Sequence, residues 1–183
     1  MAKLSHLVNG EWAAYVRPPV FAMEALEPAG SRIVAAAPEG FPSLLETLAG
    51  DMTAPLFMLY VLHTPRGEGE AGRYQSPPLA VGDVTAFLKR FGSFLADDSR
   101  CDLWIHSPAD AATLVWDRHD LLHIYGDTDK AADTLRARGF AAGTPAIPSP
   151  HMHRYEATYD ADAAALLDAF AWRRTPLRPE DEQ

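Results

Sequence analysis

Two histidines one residue apart, His151 and His153, are the residues whose spacing most invites chemistry in this 183-residue chain. On an extended strand that spacing points both imidazoles to the same side, a usable arrangement for metal ligands. A third ligand, from His123, His106 or Asp117, has to arrive through tertiary packing. His123, His151 and His153 therefore form a candidate site for a divalent transition metal, and a metal-dependent enzyme is one reading of the chain. The competing reading is that these histidines are polar aromatics on a sheet face and that no cofactor is bound. HExxH and paired CxxC motifs are both absent.

A second chemistry is anion capture. Arg66 and Arg73 stand among Gly67, Gly69 and Gly72, next to Tyr74, Gln75 and Ser76. Guanidinium groups grip carboxylates and phosphates by forked hydrogen bonds, and glycines let the backbone come close. The stretch lacks the GK[ST] ending of a phosphate-binding P-loop. Glu68 and Glu70 offer both arginines local partners instead. A third surface gathers Tyr60, Trp104, His106, His123 and Tyr125, provided that their strands share a face. Together the ligand-binding candidates are Arg66, Arg73, Tyr74, Trp104, His106 and Tyr125. Cys101 lies some five residues from His106 on an extended segment, too far for direct activation. No serine nucleophile elbow is present.

The elements that must position these residues centre on residues 101–126. Leu103 and Ile105 alternate with Asp102, Trp104 and His106; Leu114 and Trp116 alternate with Thr113, Val115 and Asp117; Leu122 and Ile124 alternate with Leu121, His123 and Tyr125. This period of two predicts three half-buried strands, with the aliphatic residues on one face and the ring-bearing polar ones on the other. Leu56–His63 is almost continuously apolar and predicts a strand buried on both faces. Residues 64–83 show no clear structure and resemble a flexible flap. Asp83 is placed to cap a helix whose stripe is Val84, Phe87, Leu88, Phe91, Phe94 and Leu95. Helices over 42–49 and 128–138, a strand over 152–158 and a helix capped by Asp160 complete the core. Near the start, Asn9-Gly10 suits either a hairpin turn between 4–8 and 11–16 or a short helix nearby. A strand is expected through Ile33 and Val34.

The formal net charge of −9 opposes non-specific binding to nucleic acid or anionic lipid. No segment has the run of apolar residues needed to span a bilayer, and the start lacks a signal-peptide core. With a single cysteine, the expectation is a cytoplasmic protein. Abundant alanine and a preference for arginine over lysine suggest a bacterial, GC-rich genome. The order strand, helix, three strands, helix, strand, helix from residue 56 resembles the ferredoxin-like βαββαβ topology. The expected fold is thus a two-layer α+β sandwich, a variant of that topology with an extra hairpin strand. Residues 1–50 form an N-terminal extension packed on or extending the sheet, 51–175 the core domain and 176–183 a frayed tail. The functional expectation is a domain that binds a small anionic ligand or a protein partner, without strong catalytic machinery. A structural homodimer module is a further alternative.

Overall fold

The computed structural model describes residues 2–28 and 30–181. The first half holds strands β1 (Leu4–Val8), β2 (Glu11–Ala14), β3 (Val20–Ala25) and β4 (Ser31–Ala36), helix α1 (Pro42–Gly50), and strands β5 (Phe57–Leu62) and β6 (Gly72–Gln75). Helix α2 (Val81–Asp97) follows, then β7 (Cys101–Ser107), β8 (Ala112–Trp116), β9 (Leu122–Tyr125) and helix α3 (Thr128–Ala137). The chain ends through β10 (Ala141–Ala142), β11 (His151–His153), helix α4 (Asp160–Leu167) and β12 (Arg173–Thr175). Among the described residues, no helix is long and apolar enough to cross a membrane.

The fold is α+β. Nine strands form one mixed sheet in the order β10-β3-β4-β9-β8-β7-β5-β6-β12, and β11-β1-β2 form a second, small sheet. Within the large sheet only β10 and β3 run parallel among the described strands. This order does not confirm the ferredoxin-like arrangement. Residues 64–83 contain β6, which pairs with β5 and reverses the chain before α2. The helix therefore delivers β7 antiparallel to β5 rather than parallel to it. The last strand of the expected pattern, β11, leaves the sheet altogether and pairs with β1.

The core lies between the large sheet and the helices. Leu103, Ile105, Leu114, Trp116, Leu122 and Ile124 enter it from the strands, as their alternation predicts. From α2 come Val84, Phe87, Leu88, Phe91, Phe94 and Leu95, a stripe at helical spacing. Each such side chain contributes roughly 1.5–3 kcal/mol over leaving it exposed. Two positions differ from the sequence reading here. Tyr60 is fully buried on this helix-covered face, because its cross-strand partner is Leu103. Asp83 sits inside the first turn, where its carboxylate accepts the Ala80 N–H at 3.0 Å; Ala80 is the capping position.

Turn chemistry settles the N-terminal alternatives. Asn9 and Gly10 both have positive φ, 53° and 87°, and join β1 to β2 as a hairpin. Gly126 closes β9 at φ 116°, where an added Cβ would meet the Ala112 Cβ at 2.8 Å. Within the described part of the tail, Asp181 is buried and ion-paired to Arg73.

Candidate functional site

Register decides what the face of the large sheet turned away from the helices carries. Leu59, Trp104, Val115, His123 and Val34 lie in one row across β5, β7, β8, β9 and β4. Phe57, His106, Thr113, Tyr125 and Arg32 lie in the row two residues on. On the other side of the first row, Arg73 is opposite Val61, and Val61 opposite Asp102. Arg73, Trp104, His106, His123 and Tyr125 thus share one face, because each is an even number of pleats from the next.

Two cavities open on this face and share Arg73, Trp104 and Arg178. One, of about 490 Å³, is lined also by Arg32, Asp102, Asp117, Arg118, His119, His123 and Tyr125, with Glu180 and Asp181 from the C-terminal turn. The other, of about 600 Å³, is lined by Phe57, Leu59, Gln75, His106, Thr113, Arg173 and Thr175 among others. No carboxylate lines this second cavity among the described residues. The guanidinium of Arg73 lies 5.8 Å from the Trp104 ring centroid, and the Trp104 indole N–H is buried without a hydrogen-bond partner among the described residues. His106 holds its Nδ1 against the Ala112 carbonyl at 3.0 Å and the Thr113 hydroxyl at 2.9 Å. Because the carbonyl only accepts, Nδ1 carries the proton in that bond.

The first cavity is electrically balanced by pairs. Arg32 donates to Glu24 at 2.9 Å and to the Tyr125 hydroxyl at 3.2 Å. Asp102 accepts from the Arg118 backbone N–H at 2.7 Å and stands 2.9 Å from His63 Nε2. Asp117 accepts the Leu121 N–H at 2.8 Å and stands 3.1 Å from His123 Nε2. Burial pushes the Asp117 carboxyl up, but the His123 bond and charge with the Leu121 N–H outweigh it and hold it below its ordinary value.

At the edge of this cavity three imidazoles meet. One ring nitrogen from each of His119, His151 and His153 lies within 4.8 Å of the others. Their ring centroids are 5.0–5.4 Å apart. His151 and His153 arrive on β11, pinned by pairing of His151 with His6 and of His153 with Leu4. His119 arrives on the β8–β9 loop, which the N-terminal segment clamps from three directions. Lys3 Nζ donates to the Asp117 carbonyl at 3.0 Å, and Arg17 donates to the carbonyls of Asp120 at 2.7 Å and His119 at 2.5 Å. Burial lowers the pKa of His119. Burial, with His119, Arg118 and His151 nearby, takes His153 down to about 4.

The sequence-derived residues are divided by this geometry. Arg73, Trp104, His106 and Tyr125 line the cavities. Arg66 does not; its Nε donates to Asp160 at 3.1 Å and its N–H to Glu68 at 2.6 Å. Tyr74 faces the core beside Tyr60, with its hydroxyl donating to the Glu70 carbonyl at 2.6 Å. His151 and His153 converge, but their third partner is His119 and not His123, whose Nε2 is engaged by Asp117. Nothing in the sequence marks Arg173 and Arg178, which stand beyond the apolar helix pattern that follows Asp160 and carry no spacing motif of their own. Comparisons with protein-family models, with curated proteins and with solved structures find no match.

Proposed function

We propose that the protein binds a small anionic molecule with a flat or apolar portion on the sheet face turned away from the helices. One observation carries this reading: Arg173 and Arg178, beside an Arg73 already paired with Asp181, border a cavity of about 600 Å³ that no carboxylate lines among the described residues. Its volume falls within the roughly 300–1,000 Å³ range of small-molecule sites. The Trp104 ring supplies a flat surface, and its buried indole N–H is a donor awaiting an acceptor. Guanidinium forks suit a carboxylate or a phosphate, so the shared chemistry is a planar or tetrahedral oxyanion. Phe57 and Leu59 offer the apolar wall.

The test is a calorimetric and Trp-fluorescence titration of tag-free protein with benzoate, phenyl phosphate, inorganic phosphate and neutral benzamide. Binding of benzoate or phenyl phosphate, with benzamide at least tenfold weaker, is expected. Arg173→Ala with Arg178→Ala should weaken that binding at least tenfold while leaving stability within about 0.5 kcal/mol, since both side chains are exposed. Equal binding by the double variant, or no response to either oxyanion, removes this assignment.

A further inference from the structure

The three imidazoles at the cavity edge are independent of the arginine-lined chamber, and they come from two parts of the chain with no local reason to meet. We propose that His119, His151 and His153 form a binding centre for a divalent transition-metal ion of the zinc type. The donor set selects the class of ion. Three imidazoles are borderline nitrogen donors that suit zinc, copper, nickel or iron, whereas calcium and magnesium require oxygen. Three protein ligands also match the donor count of metal sites that keep a position open.

Geometry supports the assignment. Tetrahedral coordination at ~2.0–2.1 Å places ligand nitrogens about 3.4 Å apart. The nitrogens here lie within 4.8 Å of one another, so small ring rotations close the set. His151 has its tautomer set from behind: Nδ1 stands 2.9 Å from the Pro148 carbonyl, which accepts only, so Nε2 keeps its lone pair. His153 Nδ1 is buried without a hydrogen-bond partner among the described residues, which is costly for a ring nitrogen with no role. Asp117 Oδ2 lies 4.0 Å from His119 Nδ1, in position to orient that ring from the outer sphere. The loop carrying His119 is held by Lys3 and Arg17 through its carbonyls rather than through the imidazole.

The packing alternative is that three polar rings simply stack edge to face around one another. Metal titration separates the two. Tag-free, chelator-stripped protein is titrated with Zn²⁺ and with Co²⁺, reading stoichiometry by elemental analysis, coordination by cobalt absorption and stability by thermal melting. About one equivalent of zinc, a melting temperature raised by several degrees and a tetrahedral or five-coordinate cobalt spectrum are expected. His119→Gln, and separately His151→Ala with His153→Ala, should each weaken zinc at least tenfold, while His123→Gln leaves affinity within about threefold. Should the paired β11 variant lose its fold, imidazole nitrogen shifts of His119, His151 and His153 in the wild-type protein on adding zinc provide the same reading. Uptake below a tenth of an equivalent with no thermal shift overturns the proposal. So does zinc binding that the His119→Gln variant retains, or that His123→Gln abolishes.

Discussion

On the helix-covered face of the sheet, Trp116 is fully enclosed and its indole N–H donates to Asp120 at 2.9 Å. On the opposite face, one strand over, the Trp104 N–H is equally hidden and has no partner among the described residues. The two tryptophans sit on the paired strands β8 and β7, yet a pleat separates their roles. Trp116 packs edge-on against Phe41 within the core. Trp104 borders two cavities and faces the Arg73 guanidinium. The contrast shows where the fold completes its own hydrogen bonding and where it leaves groups for something else to meet.

Charged residues divide in the same way. Arg100 is fully enclosed, and Asp98, Glu68 and Asp160 take its donors at 2.9–3.1 Å. Arg173, by contrast, stands at the rim of a chamber without carboxylates among the described residues, and Arg178 borders both that chamber and the first cavity. A guanidinium surrounded by acids inside the protein is structural, whereas one aimed into an open chamber can still receive a ligand.

Breaking the interior half of this comparison should have the largest effects. Trp116→Ala removes a buried ring and its hydrogen bond, and is expected to cost about 3–5 kcal/mol in urea unfolding, with the m-value unchanged. Arg100→Met should cost about 3 kcal/mol, because it strands the buried carboxylates of Asp98 and Glu68. A near-neutral result there would mean that those acids take up protons without penalty, which the pH dependence of the variant would expose. The smallest effect concerns Asp160. Its hydrogen bond from Arg100, then that from Arg66, hold its carboxyl below the ordinary range. As pH falls through about 4, the unfolded chain takes up that proton before the folded one does. The pair's contribution is therefore complete above the ordinary carboxylate range and is lost as pH drops toward the folded value. Asp160→Asn should unfold with a shallower acid limb than the parent; parallel limbs would place the acid sensitivity elsewhere.

Much of the fold was legible because pleat and helix periodicity are local. Alternation in residues 102–106 and 121–125 assigned Leu103, Ile105, Leu122 and Ile124 to the core and Trp104, His106, His123 and Tyr125 to the other face, as found. The Phe stripe of α2 and the Asn9-Gly10 turn were likewise readable from spacing. Gly72–Gln75 was not, since four residues among glycines carry too little pattern to reveal a strand, and missing it changed the expected direction of β7.

By itself, then, the sequence determined which side chains each strand and helix would turn inward, because that depends only on backbone geometry and residue polarity. Which polar groups would meet was decided by tertiary structure. The spacing of His151 and His153 announced a pair, but only the docking of β11 on β1 and the clamping of the 117–121 loop by Lys3 and Arg17 chose His119 as their neighbour over His123. Arg173 and Arg178 joined Arg73 in the same manner, through the pairing of β12 with β6 at the edge of the sheet. Contacts between residues so far apart in the chain depend on strand order and loop closure, and no local period encodes either.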